Sequence, residues 1–436
     1  MKIAQLTPGS GDNFYCANCL RDAELVKELR RKGHDILMIP MYLPLQADKD
    51  EKVSNAPVFF GGINVYLQQK FPFFRKTPRW LDRLFDRPVL LKLAGKKSDM
   101  TSAKELGELT ISMLQGKQGR QKKELDRLVE WLVQDENKPD IVCLSNALLS
   151  GLSEQIKEKL NVPVVCLLED EDTFVDNLPG PFAEKAWKII SQRCKDIDAF
   201  ISVSRHYANI FKKKAGIEDS RLFAVNPGIA IENYKSDERK KEPATIGFLS
   251  CMSEEKGLDI LVDAFIILKQ NEKLKGTKLC ITGGQRRQDK EFIRKIRRKL
   301  TDSNLHDDVE FLTEFDQESR LNFLQRLTAL SVPERRSPAY GLYVLEALAS
   351  SVIPVQPRMG VFIEMLGSGG GVLHEPNTPE AIAKELEKIL SDSDYAKKLA
   401  GEGRKIATEK FNVEKSAEEM LNIYKKVKKD FEKKNA

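Results

Sequence analysis

Short, continuously apolar runs alternate with amphipathic stretches from one end of the chain to the other. In the first half the runs fall at 3–7, 36–40, 141–145, 162–168, 199–203 and 222–225, and in the second at 244–249, 278–282, 309–312, 329–332 and 353–356. Each is too short for a stable helix, so each predicts a strand. The stretches between them space their apolar residues along one face of a helix. Strand and helix in regular alternation predict doubly wound α/β domains around parallel sheets, and no solenoid repeat is visible.

At 436 residues the chain exceeds what one core usually serves, and two domains are expected. The polar run Glu232-Asn233-Tyr234-Lys235-Ser236-Asp237-Glu238-Arg239-Lys240-Lys241-Glu242-Pro243 reads as the linker between them. The expected division is a first domain over 1–232, a second over 243–411, and a lysine-rich amphipathic helix within 412–436. The first domain also carries an insertion near 68–123, where aromatic and basic residues interleave: Phe71-Pro72-Phe73-Phe74-Arg75-Lys76, Trp80-Leu81-Asp82-Arg83-Leu84-Phe85 and Leu90-Leu91-Lys92-Leu93-Ala94-Gly95-Lys96-Lys97. Such a segment suits a peripheral contact with an anionic membrane face through 71–97, or reception of a lipid-linked acceptor. An ordinary helical excursion over the first sheet is the favoured reading, because long connections usually pack back on their own domain.

Hydrophobic residues make up 41% of the chain and charged residues 31%, a balance that excludes disordered and membrane-spanning classes. Met1-Lys2-Ile3-Ala4-Gln5-Leu6 has no leader pattern and no later apolar run approaches membrane length, so the expected location is cytoplasmic. A net charge of +6 suits anionic ligands in general without singling out nucleic acid. Cys16-x-x-Cys19 has no second pair or nearby histidine to complete a zinc or redox site, and Cys143, Cys166 and Cys280 sit inside strands as small hydrophobes. His34, His206, His306 and His374 all have structural readings, and no Ser/His/Asp or metal-ligand set assembles by spacing.

The informative stretch is Tyr340-Gly341-Leu342-Tyr343-Val344-Leu345-Glu346-Ala347-Leu348-Ala349, followed by Val352-Ile353-Pro354-Val355. It reads as a glycine turn, a helix with Glu346 about one turn in, and a strand. A helix N-terminus offers unpaired N–H groups to a phosphate, and a carboxylate just beyond it suits ribose hydroxyls.

These residues resemble the donor-site signature of retaining glycosyltransferases of the GT-B fold, family four, typically written E-x-F-G-L-x-x-L-E-A-x-A-x-G-x-P-V. The resemblance implies two Rossmann-like domains facing across a cleft and a terminal helix crossing back onto the first. It implies a nucleotide sugar as substrate in the second domain, with neither cofactor nor metal, so lysine, arginine and helix dipoles must offset the diphosphate charge. The implied reaction is retaining transfer of a hexose-type sugar to a hydroxyl on a carbohydrate or lipid-linked acceptor, in cell-surface polysaccharide or glycolipid synthesis.

By the same resemblance Glu346 and Lys256 carry the site, Glu346 on ribose and Lys256 on diphosphate. Lys256-Gly257 ends Ser253-Glu254-Glu255-Lys256-Gly257, which resembles the family's G-R-L-x-x-x-K-G element. The backbone N–H groups of Gly341, Leu342 and Tyr343 fall on phosphate, and the turn Gly283-Gly284 lies near the donor. Phe315 is a base contact. Arg358 and Glu364 lie in the loop and short helix beside the sugar or diphosphate. Gly9 and Gly11 form the first-domain loop. Asp170-x-Asp172 also fits the metal-binding D-x-D of GT-A glycosyltransferases, but that motif belongs to a single-domain architecture.

Four positions depart from the family pattern: Pro338 for the first glutamate, Cys251 for the arginine of the phosphate clamp, Glu169 for a frequent histidine and Asp12 for a glycine. Arg358 offers a second cation in place of Cys251. Because a preorganised contact is worth on the order of a hundredfold in rate, these departures raise an alternative, a weakened homologue that binds a nucleotide or partner subunit. An epimerase or phosphorylase on the same fold is a third reading.

Overall fold

A run apolar on both faces must be covered on both faces, and parallel strands connected through helices satisfy this. The computed structural model describes residues 1–8, 17–42, 59–60, 62–77, 103–236 and 242–435. All eleven apolar runs form strands. The first six are β1 (Lys2–Thr7), β2 (Asp35–Pro40), β3 (Ile141–Leu144), β4 (Val164–Leu168), β5 (Ala199–Ser202) and β6 (Leu222–Ala224), arranged as the parallel sheet β2-β1-β3-β4-β5-β6.

The second sheet holds β7 (Thr245–Leu249), β8 (Lys278–Thr282), β9 (Val309–Phe311), β10 (Ala329–Leu330), β11 (Ile353–Pro357) and β12 (Val372–His374). Its order, β12-β11-β10-β7-β8-β9, is the doubly wound arrangement of a dinucleotide-binding domain. The edge strand β12 was not expected. Its three residues follow Gly369-Gly370-Gly371 and pair with β11 through Val355 and Val372, too short a run for a hydrophobic pattern to register.

By its contacts the chain divides into two compact units, Met1–Gly11 with Leu25–Val225 and Ala417–Ala436, and Asp12–Glu24 with Asn226–Ser416. The first residues of the polar run at 232–243 thus lie inside the second unit. The segment before it is already anchored there, since Ile229 pairs with Asn412, the Val413 N–H donates to the Ile229 carbonyl at 3.0 Å and Ser416 Oγ donates to the Asn226 carbonyl at 2.7 Å.

The insertion is helical where it is described, at Gly62–Lys70, Ala103–Leu114 and Lys122–Val133. Ile111, Leu114, Leu125, Leu128 and Leu132 are buried, which matches a helical layer belonging to the first unit. Phe71 and Phe73 are exposed. Of the expected membrane-facing residues 71–97, those at 78–97 lie outside the described ones. Among the described residues no helix is long and apolar enough to cross a membrane.

The last helix, Val413–Asn435, places Ala417, Met420, Leu421, Tyr424 and Val427 in the core of the first unit, beside Ile3, Ile141, Cys143 and Val165. Lys428 Nζ completes the seat with a 2.6 Å bond to Asp140. Removing a buried aromatic ring costs about 3–5 kcal/mol. Tyr424→Ala is therefore expected to destabilise the first unit by about that amount in a urea titration followed by circular dichroism, without moving the transition of the second.

Candidate functional site

In an open α/β sheet the ligand crevice lies beyond the carboxyl ends of the strands where their order reverses. In the second unit that point falls between β7 and β10, which pair through Ile246 with Ala329 and Gly247 with Leu330. The loop after β7 runs to Lys256 and Gly257, and the loop after β10 runs through Glu334 to Gly341. Gly257 joins them. Its φ of +72° is left-handed, and a Cβ there would stand 2.0 Å from the Pro333 carbonyl oxygen, so no side chain fits.

This contact brings Lys256 Nζ to 2.6 Å from Glu334 Oε2, and Tyr343 Oη donates to Glu334 Oε1 at 2.8 Å. Glu334 is 3% exposed and Lys256 27%, so the acid is sealed while its cation reaches solvent. Burial and the Glu334 charge push the Tyr343 phenol well above its ordinary range. The turn itself is pinned, with Arg335 clamping Asp259 at 2.9 and 2.6 Å and Asn377 Nδ2 donating to the carbonyls of Pro333 and Glu334. From sequence Glu334 stands, with Ser337, only as a candidate for the place of the first glutamate; its pairing with Lys256 and the part of the Tyr343 hydroxyl were not expected. The signal in sequence is an acid directly after the β10 apolar run.

Glu346 lies in the helix Leu342–Ala349, buried with it. Its Oε1 accepts from Arg320 Nε at 3.2 Å and from Tyr234 Oη at 3.1 Å. Arg320 also donates to the Phe315 carbonyl at 3.1 Å, which ties the half-buried Phe315 loop to Glu346. Burial and the Glu346 charge raise the Tyr234 phenol well above its ordinary range, so it stays a donor.

At the end of β8, Gly283 and Gly284 take φ of +117° and +79°. A Cβ on Gly283 would stand 2.3 Å from the Ser250 carbonyl, and the Met252 N–H donates to the Gly284 carbonyl at 3.0 Å. The β7 and β8 loops are thereby in backbone contact. Cys251 is half-buried, and burial raises its thiol above its ordinary range. Arg358 and Glu364 are exposed, Arg358 with its N–H on the His374 carbonyl at 2.8 Å. Pro338 is buried and Ser337 Oγ accepts from the Val361 N–H at 3.1 Å, so Ser337 serves the helix Gly360–Leu366. Gly9, Gly11 and Asp12 lie outside the described residues.

In the first unit, Glu169 directly follows β4, and Asp170 holds a left-handed φ of +101° that an aspartate rarely adopts. The turn folds Glu171 back to accept from the N–H groups of Ala147 and Glu169 and from Tyr207 Oη at 2.7 Å. Burial nevertheless outweighs these donors and pushes the Glu171 carboxyl up to about 7. Among the described residues no three His, Cys, Asp or Glu converge as a metal would require, Asp170 and Asp172 included.

Two outcomes follow from these environments. Arg320→Ala strands a buried carboxylate and is expected to cost about 3–5 kcal/mol in denaturant unfolding, whereas Lys256→Ala, which removes a partly solvated cation, costs less. Glu171, with a folded pKa above its unfolded value, is neutral in the fold at low pH and is forced to ionise as pH rises. Its contribution therefore falls between about pH 4.5 and 7, by on the order of 3 kcal/mol, a slope that Glu171→Gln should remove from the pH dependence of urea unfolding.

Residues 230–406 match the family described as Glycosyl transferases group 1. An uncharacterized glycosyltransferase of Methanocaldococcus jannaschii is 24% identical over 278 residues, covering 62% of this chain and 71% of the relative. The crystal structure of Anabaena HepE in complex with UDP superposes with a TM-score of 0.67 at 15% identity, over 98% of this chain and all of that one. Sucrose-phosphate synthase from Thermosynechococcus elongatus gives 0.70 at 15% identity, over 98% of each chain. The fold is GT-B.

Proposed function

We propose that this protein is a retaining glycosyltransferase, moving a hexose-type sugar from a nucleotide-sugar donor to a hydroxyl on a carbohydrate or lipid-linked acceptor. The observation that carries the reading is the placement of Lys256, Glu334, the Gly341 helix N-terminus and Glu346 together beyond β7 and β10, where a doubly wound sheet takes its ligand.

In this reading Lys256 faces the leaving diphosphate, and the first N–H groups of the helix at Leu342 and Tyr343 take a phosphate oxygen. Glu346, held in place by Arg320 and Tyr234, binds ribose. Phe315 lies under the base. As the glycosidic bond breaks, negative charge grows on the diphosphate and Lys256 offsets it without a metal. UDP is the first nucleotide to test, since HepE is described in complex with UDP, with UDP and glucose, and with UDP-glucose. Exposed Phe71 and Phe73 support an approach to a lipid-linked acceptor at the inner membrane face, in cell-surface polysaccharide or glycolipid synthesis from the cytoplasm.

Burial of Pro338 favours a second reading, a weakened homologue that binds a nucleotide or partner subunit, because that position presents no carboxylate to the donor sugar. Transfer from radiolabelled UDP-glucose, GDP-mannose, ADP-glucose and UDP-N-acetylglucosamine, with the product anomer read by NMR, separates the two. The transferase reading expects retained configuration and a loss of about a hundredfold or more in Lys256→Ala and Glu346→Ala. Nucleotide binding without transfer supports the weakened homologue.

A further inference from the structure

We infer that Arg286, at the end of the β8 loop, supplies the diphosphate-binding guanidinium whose usual position is occupied by Cys251. The inference rests on the donor-binding reading above and assigns it a residue that the sequence did not single out.

The geometry ties the two positions together. Asp289 Oδ2 accepts from Cys251 Sγ at 3.8 Å and from Arg286 Nε at 2.8 Å, so one carboxylate oxygen touches both side chains. The Arg286 backbone N–H lies beside the sulfur, and its guanidinium acts on the thiol more strongly than Lys256 does. The backbone bond from Met252 to Gly284 holds the two loops in this register. A neutral, half-buried thiol thus stands next to an arginine that arrives from the adjacent strand.

Arg286 is also presented in a usable way. Its Nε and Nη2 grip Asp289 at 2.8 and 3.2 Å, and Asp289, 9% exposed, fixes the plane of the guanidinium. Among the described residues nothing binds Nη1, and the side chain is 40% exposed, so one edge of the fork faces solvent with its donors open. A guanidinium oriented by a buried acid binds phosphate oxygens with little further loss of freedom. Arg358, the compensating cation expected from sequence, makes no described contact with Cys251 or its neighbours.

The test is calorimetric titration of the full-length protein with UDP, GDP and ADP and with uridine, guanosine and adenosine. The Arg286→Ala protein is expected to bind the preferred diphosphate about tenfold to a hundredfold more weakly while its affinity for the matching nucleoside holds, which also certifies the fold. Cys251→Arg added to Arg286→Ala should restore the diphosphate affinity. Diphosphate affinity within about twofold of wild type, or an equal loss for the nucleoside, overturns the assignment of Arg286 alone. Wild-type protein that binds none of the three diphosphates overturns this inference and the donor-binding reading together.

Discussion

The second unit depends on two backbones touching. The carbonyl of Pro333 stands where the Cβ of any other residue at 257 would be, so the loop after β7 and the loop after β10 lie against each other with no side chain between them. Lys256 and the turn that leads to Glu346 are placed by that contact. It sets Lys256 on Glu334, leads the β10 loop into Gly341 and the Glu346 helix, and does so at the reversal of strand order where an α/β sheet opens a crevice.

The charges around this point come in pairs. Lys256 with Glu334, Arg320 with Glu346 and Arg286 with Asp289 each join a cation to an acid that is nearly or fully buried. Burying an acid is unfavourable unless it is paired, so each acid demands its cation and holds it in one orientation. The pairs differ in what they leave over. Arg320 is 8% exposed and serves to orient Glu346, while Lys256 and Arg286 keep a face toward solvent and can share it with an anion. A ligand diphosphate would meet cations already aimed, which is the condition for electrostatic stabilisation of a leaving group.

Much of the fold was legible because its strands are continuous apolar runs, and all eleven that the pattern picked out are present. The twelfth, Val372–His374, is three residues at a sheet edge and leaves no periodicity to read. In the candidate site, Lys256, Gly257, Gly341 and Glu346 were named from sequence because they fall in two short contiguous motifs, each following a strand. Their partners were not: Tyr234 is 112 positions from Glu346, Arg320 is 26, and Glu334 is 78 from Lys256, distances closed only by the tertiary fold. That Arg286 shares Asp289 with Cys251 was hidden for the same reason, since adjacency of the β7 and β8 loops follows from strand order and not from sequence spacing.

The proposed seat of a nucleoside diphosphate lies beyond β7, β8 and β10 of the second unit. Hydrogen exchange measured by mass spectrometry, without ligand and with saturating UDP, GDP or ADP, tests it most directly. One of the three is expected to slow exchange in peptides covering 250–257, 283–289 and 334–346, with the rest of the second unit unchanged. Protection confined to other segments, or none with any of the three, would contradict it.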